Sequence, residues 1–208
     1  MSPSDRYPLA LLVAFLAIFA GLAIAPSFRQ DWLLENLLVF AALPLLVLTH
    51  RRLRFSNFAY TCLFVFFVLH EIGAHYTYSE VPWREWLAVL GLGDGDPVGR
   101  NHYDRFVHFA YGLLLMPAAV ELITARMSPR GLWRWLMPVL FIMSHSVIYE
   151  LIEWFAAVRF GGDLGVAYLG TQGDVWDAQK DMALATLGAV TGLAVVAIRG
   201  AARSARAR

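Results

Sequence analysis

Acids and histidines gather at the ends of long apolar stretches in this chain of 208 residues. Four short runs carry them: HEIGAHYTY at 70–78, NHYDRFVHFAYG at 101–112, YELIEW at 149–154 and GTQGDVWDAQKDM at 170–182. Ionisable side chains are rare at membrane depth, and those that occur face a bundle interior or a water-filled cavity. The four runs therefore predict a shared polar site whose side chains could bind a ligand or catalyse a reaction.

Helical spacing decides which side chains of the first two runs can point the same way. Glu71 and His75 are four residues apart, as are Asp104 and His108, so each pair lies on one helix face at about 100° per residue. His70 and His75 are five apart, which excludes the H-E-x-x-H zinc motif with histidines four apart. Each helix end can thus present a carboxylate and an imidazole together.

The last two runs add five acids. Glu150 and Glu153 lie near the predicted C-terminal end of a helix, where the helix dipole disfavours an anion, so they need a cation, a donor or a proton. Asp174 and Asp177 precede or open the next helix and could simply cap it. Asp181 lies inside that helix, so capping explains it less well.

Carboxylates cannot remain ionised without compensation in a medium of low dielectric constant. Arg105 and Lys180 could form internal ion pairs with them, or some of the acids could stay protonated. A divalent metal could instead hold several acids at once, and mixed carboxylate and imidazole ligands suit zinc, manganese or iron. These alternatives stay open at this point.

The metal interpretation predicts a membrane-embedded hydrolase in which metal-activated water attacks an ester or amide of a lipid or envelope precursor. The expected catalytic residues are Glu71, Glu150 and Asp181, the expected metal ligands are His75, Asp104, His108, Glu153 and Asp177, and the expected substrate-binding residues are Arg105, Lys180, Asp174 and Gln172. Two other functions compete with it, an ion-coupled transporter and a non-catalytic structural or sensory membrane subunit.

The elements that must position these residues are membrane helices. The chain is 59% hydrophobic and only 16% charged, against about a quarter charged in soluble domains. Six apolar segments approach the roughly 20 residues that a helix needs to cross a bilayer, and they run approximately over 8–25, 32–49, 55–75, 103–125, 133–156 and 177–199. We expect an all-α membrane protein, a single domain built as a bundle of six transmembrane helices.

Charge distribution predicts the orientation of the bundle. With six crossings, one side carries both termini and most of the arginines: Arg6, Arg51, Arg52, Arg54, Arg126, Arg130, Arg134, Arg199, Arg203, Arg206 and Arg208. Basic loops are normally cytoplasmic. Both termini, including a basic tail over 200–208, are therefore expected in the cytoplasm, and the acidic runs at the outer side of the membrane.

The outer loop between the third and fourth segments contains VPWREWLAVLGL. Trp83, Trp86, Leu87 and Leu90 follow the helical i, i+3, i+4, i+7 pattern, which predicts a short helix lying in the membrane interface. Membrane lipid is the expected partner. No nucleic-acid-binding motif is present, and the oligomeric state stays open.

Taken together, the four runs resemble the bacterial inner-membrane family typified by YjdF, known chiefly as a domain of unknown function. The likeness spans approximately residues 30–195 and implies a multi-pass inner-membrane protein without an established substrate. The pattern E-x-x-E, D-x-x-x-D and G-x-x-x-G is also loosely similar to the VanZ-like membrane family, which commonly carries glutamine where this chain has Glu153.

Overall fold

The computed structural model describes residues 5–92, 99–160, 162 and 170–206. Over these residues the chain is helical and contains no strand. The helices are α1 (Arg6–Leu22), α2 (Arg29–Thr49), α3 (Asn57–Tyr76), α4 (Trp83–Val89), α5 (Tyr103–Met127), α6 (Trp133–Phe160) and α7 (Asp177–Arg206), with one 3-10 turn at Tyr78–Glu80. The predicted all-α class is confirmed.

Five of these helices, α2, α3, α5, α6 and α7, are long and apolar enough to cross a membrane. The first helix, α1, is apolar but has only 17 residues. It ends at Leu22, three residues before the predicted boundary, because Ala25 takes a left-handed conformation (φ 48°) ahead of Pro26, and proline disfavours helix in the residue before it. The last helix continues through most of the basic tail.

The tightest helix pair in the fold is α5 with α7, and glycine permits it. A Cβ atom at Gly112 would overlap the backbone of Ala185, and one at Gly188 would overlap the carbonyl oxygen of Phe109. Gly192 lies similarly against Leu113. The G-x-x-x-G pattern of α7 therefore serves packing within the chain, since small residues let backbones approach closely. It also sets the N-terminal turns of α5 and α7 side by side.

The remaining helices pack around this pair. α3 lies against α5, α1 and α2 lie against α3, and α6 lies against both α5 and α7. Backbone contact between α2 and α6 is sparse at most over the described residues. A gap therefore separates α2 from α6, and side chains rather than backbones bridge it.

The short helix α4 folds over the beginning of α5. Trp83 stacks on Phe106 with ring centroids 4.9 Å apart, and it meets Tyr103 edge-on at 5.5 Å. Asn101 ties the same region together by donating from its amide to the carbonyl oxygens of Ser79 (3.0 Å) and Val81 (2.7 Å). These contacts hold the start of α5, and so the acids on its first turns, in one position.

Candidate functional site

The centre of the site joins the first turns of α5 and α7. One ligand atom each from Asp104, His108 and Asp181 lies within 4.8 Å of the others. Asp104 and His108 share a face of α5 at a spacing of four, as predicted from helix geometry, with Nε2 of His108 3.5 Å from Oδ1 of Asp104. Asp181 reaches them across the close α5–α7 contact and is only 2% exposed.

The third helix at this centre is α6. Oε1 of Glu150 lies 3.7 Å from Nε2 of His108, beyond hydrogen-bond distance. Glu153 lies one turn further along α6 and interacts with Glu150. Five carboxylates and one imidazole therefore come from three helices once Asp177, on the first turn of α7, is included.

A layer of ion pairs, called the outer layer, closes the site where α5 and α7 begin. Nη2 of Arg100 lies 2.5 Å from Oδ1 of Asp177, and Arg105 contacts both Asp177 and Asp174. Lys180 reaches Asp174 at 2.5 Å. The three cations of this layer are thus engaged by Asp174 and Asp177. No Lys or Arg of the described residues forms an ion pair with the other four acids, although Arg100 and Arg105 act on Asp104 from a longer distance.

Asp174 lies in the loop before α7 and is strongly stabilised as an anion. The Lys180 ammonium, ahead of the Trp176 backbone N–H and the Arg105 guanidinium, lowers the pKa of the Asp174 carboxyl to about 2. The backbone N–H of Trp176 donates to its Oδ1 at 3.1 Å. Asp174 therefore works as a charged anchor for the start of α7.

Gln172 links two loops instead of facing the acids. Its Oε1 accepts a hydrogen bond from the backbone N–H of Asn101 (2.8 Å), and its Nε2 donates to the carbonyl oxygen of Asn101 (3.0 Å). Arg100, the neighbour of Asn101, donates to the carbonyl oxygens of Thr171 and Gly170. The loop before α5 is thus fastened to the loop before α7.

The structure does not bring Glu71 or His75 to the centre. Nδ1 of His75 lies 2.7 Å from the carbonyl oxygen of Leu22, at the end of α1. Glu71 is fully buried on α3 towards Asn36 of α2, and its carboxylate oxygens make no hydrogen bond of good geometry among the described residues. Although the two residues are four apart on α3, their side chains have different neighbours, and neither belongs to the group formed by Asp104, His108 and Asp181.

A second group of buried acids, which was not among the predicted site residues, lies on α2. Asp31 is 1% exposed and Glu35 is 3% exposed. The Tyr149 hydroxyl of α6 donates to Oε2 of Glu35 at 2.7 Å. The Thr77 hydroxyl lies towards Asp31, but the two make no hydrogen bond of good geometry. The signal was present, since Asp31 and Glu35 are four residues apart within an apolar segment and so share a helix face.

His70 and Tyr78 connect α2 to the turn after α3. Nε2 of His70 lies 3.2 Å from the carbonyl oxygen of Glu35, and Nδ1 lies 2.6 Å from the Tyr78 hydroxyl. Because a carbonyl only accepts, Nε2 donates, and Nδ1 of a neutral ring then accepts from Tyr78. Burial raises the pKa of the Tyr78 hydroxyl well above its usual value, which preserves this donor.

A cavity of about 120 Å³ adjoins the centre between α2, α3, α5 and α6. Asp104, His108 and Tyr149 line its polar part, and most of the remaining wall is apolar. The hydroxyl of Ser146, 2% exposed, lines it too and makes no hydrogen bond within the described residues. The site therefore has an internal space beside its charged groups.

The donor set at the centre fits a divalent metal. Oδ1 of Asp181 and Oε1 of Glu150 are buried without a hydrogen-bond partner among the described residues, and buried polar atoms normally have one. Ligand atoms lie about 2.0–2.2 Å from zinc, and therefore within roughly 4 Å of one another. The ligand atoms of Asp104, His108 and Asp181 all lie within 4.8 Å of one another, and Nε2 of His108 is 3.5 Å from Oδ1 of Asp104, so the three groups are close to such distances.

Comparison with known proteins adds the family. The model of the family described as "Predicted membrane protein (DUF2238)" matches residues 7–202. The inner membrane protein YjdF of Escherichia coli (strain K12) is 35% identical over 187 residues, which cover 88% of this chain and 84% of that protein. No solved structure matches the chain significantly. The resemblance predicted from the four runs is confirmed: the chain belongs to the YjdF-like DUF2238 family of membrane proteins.

Proposed function

We propose that this protein is a metal-dependent hydrolase of the bacterial inner membrane, acting on a lipid or envelope precursor at the periplasmic leaflet. The observation that carries the proposal is the convergence of Asp104, His108 and Asp181, whose ligand atoms lie within 4.8 Å of one another. Neither Asp104 nor Asp181 forms an ion pair with a Lys or Arg of the described residues, and Arg100 and Arg105 act on them only from a longer distance. A bound cation would therefore supply the compensation that buried acids require.

A divalent metal at this centre would supply Lewis acidity and a water of lowered pKa. Asp104, His108 and Asp181 would hold it, with Glu153 and Asp177 close enough to support them. Glu150, at 3.7 Å from His108, is placed to accept a proton from the attacking water. The water oxygen would bond to the carbonyl carbon of an ester or amide, whose leaving group would depart with the proton.

Anion binding at the outer layer is part of the proposal. Arg105 and Lys180 both hold Asp174, and an anionic group of a substrate would compete with this carboxylate for them. Because Lys180 is about half exposed, it can exchange partners more easily than Arg100, whose side chain is only 11% exposed. Gln172 contributes by fastening the loop before α5 to the loop before α7.

The topology that we propose has α1 as a sixth crossing, both termini in the cytoplasm and one membrane domain over the whole chain. The basic residues near both termini support this orientation, and tryptophans Trp83 and Trp86 support an interfacial position for α4. Reporter fusions active only in the cytoplasm, placed at each terminus, test it. A fusion that is expressed but inactive at either terminus would place that terminus outside the cytoplasm and contradict the six-crossing arrangement.

Metal content of purified protein tests the hydrolase. The wild type should carry a divalent metal in stoichiometric amount, detected by elemental analysis, and Asp104→Asn and His108→Ala should lose it. His75→Ala is a matched histidine control, since His75 contacts the end of α1 instead of the centre, and it should keep the metal. Equal and negligible metal in all four proteins would remove the proposal.

An ion-coupled transporter is the second candidate, and one observation favours it. Asp31, Glu35 and Glu71 are buried on α2 and α3, and intramembrane acids often carry protons or ions in transporters. Cation flux into liposomes that disappears with Glu71→Gln, while metal stays absent, would support this function. Wild-type flux and stability in both Glu71→Gln and Asp181→Asn would instead favour a structural or sensory subunit.

A further inference from the structure

The cavity beside the candidate metal centre has both polar and apolar walls. Asp104 and His108 belong to the polar part, and Tyr149 lies next to them with its ring 6.0 Å from that of His108. Phe66 and Val107 line the apolar part. A ligand that fills the whole cavity would therefore need a polar group at one end and a hydrocarbon portion behind it.

The same cavity faces the lipid side of the molecule. Leu38 of α2 and Ile148 and Ile152 of α6 line it, yet they are 38%, 51% and 49% exposed. The two helices make sparse backbone contact at most over the described residues, and the Tyr149–Glu35 hydrogen bond spans the gap between them. A hydrocarbon chain could thus pass between α2 and α6 from the bilayer without first entering water.

The buried hydroxyl of Ser146 indicates that the ligand carries a hydrogen-bond acceptor. Its hydroxyl is buried, lines the cavity and makes no hydrogen bond within the described residues, although a buried donor normally has a partner. It precedes Glu150 by one helical turn. An ester or amide carbonyl near the head of an acyl chain would supply the missing acceptor, whereas a polyprenyl chain has no oxygen along its length.

From these observations we infer that the cavity binds the carbonyl end of the acyl chain of an acylated lipid, which enters laterally between α2 and α6, presents its carbonyl near Ser146 and leaves the rest of the chain in the bilayer. The inference rests on the proposed hydrolase for the reason why an acyl chain is bound. The cavity and the residues that line it do not depend on that proposal. It narrows the substrate class from any lipid or envelope precursor to lipids that carry a fatty-acyl group.

Photolabelling tests the inference on the full-length protein. A lysophospholipid whose acyl chain carries a diazirine should label cavity residues of α2 and α6, and excess unlabelled lysophospholipid should suppress the label. Ile152→Trp fills the cavity and should reduce labelling roughly tenfold or more, because the chain loses its apolar burial. Leu151→Trp is the matched control, since Leu151 is 55% exposed but does not line the cavity, and it should label like the wild type.

Three results would overturn the inference. They are equal labelling of Ile152→Trp and Leu151→Trp, uncompetable labelling spread over the outer faces of both helices, and preferential labelling by a polyprenyl phosphate diazirine. Ser146→Ala should reduce labelling by the acyl probe, and an unchanged level would likewise count against the carbonyl contact. Cavity labelling that unlabelled lipid suppresses, in a protein without metal, would support the acyl site and contradict the proposed hydrolase. Metal binding without cavity labelling would contradict only the acyl site.

Discussion

The hydroxyl of Tyr149 on α6 donates a 2.7 Å hydrogen bond to Oε2 of Glu35 on α2, across 114 residues of sequence. This bond bridges two helices whose backbones hardly touch over the described residues. Glu35 also accepts from His70 through its carbonyl oxygen. The acids of α2 are thereby joined to the helix that carries Glu150, so two groups of buried carboxylates belong to one connected polar interior.

Removal of this hydroxyl should destabilise the protein. In Tyr149→Phe, Glu35 remains 3% exposed but loses its donor, and a buried group left unsatisfied costs about 1–3 kcal/mol. Denaturant unfolding in detergent measures the change. Tyr7→Phe removes an exposed hydrogen bond to Thr61 and should cost much less, within about 0.5 kcal/mol. Equal losses in both variants would show that the bridge contributes nothing special.

A methyl group on Gly188 should force α5 and α7 apart. Its Cβ would overlap the carbonyl oxygen of Phe109, and overpacking costs typically about 1–3 kcal/mol. Because Asp181 lies two turns before Gly188 on the same helix, metal retention should fall together with the melting temperature. Gly200→Ala is the control in the same helix, since a Cβ there meets nothing within 4 Å. It should leave the melting temperature unchanged or slightly raised.

Neutralising Arg100 should be far more damaging than neutralising Lys180. Arg100 pairs with Asp177, whose side chain is only 5% exposed, and breaking a buried pair typically costs about 3–5 kcal/mol. Because Arg105 remains 3.5 Å from Asp177, the loss in Arg100→Gln should lie towards the lower end of that range. Lys180 is 48% exposed, and exposed pairs contribute about 0–1 kcal/mol. Unfolding of Arg100→Gln and Lys180→Gln, measured in the same detergent, provides the comparison. Similar losses would contradict the buried position of Asp177.

Acid should remove the contribution of Asp174. Its folded pKa of about 2 lies below the usual value of about 3.9 for aspartate, so its stabilisation is complete above about pH 4 and disappears as the pH falls through about 2. The melting temperatures of wild type and Asp174→Asn should therefore converge between pH 4 and pH 2. A difference that stays constant over this range would show that the carboxylate is not stabilised in the fold.

Several features of this architecture were readable from local sequence. The spans of α2, α3, α5 and α6 follow from apolar length alone, and the predicted boundaries lie within a few residues of those observed. The shared face of Asp104 and His108 follows from their spacing of four within one helix. Local geometry was sufficient in these cases because each statement concerns one helix.

Residue spacing along one helix did not predict the contacts between two helices. Glu71 and His75 also stand four apart, yet the first lies towards α2 and the second contacts the end of α1. Gln172 lies beside Asp174 in sequence but pairs with Asn101. Spacing along a helix says which residues share a face, whereas the rotation of that helix in the bundle decides what the face meets.

What the sequence by itself determined is the class of protein, a chain of apolar helices with ionisable residues near their ends, because length, hydropathy and helical periodicity are local properties. The family, too, was recognisable from four short runs. Only the tertiary structure decided that Asp104, His108 and Asp181 meet, that Asp174 and Asp177 take the cations, and that Glu35 joins through Tyr149. These outcomes depend on the close α5–α7 contact and the gap between α2 and α6, which arise from packing between distant segments.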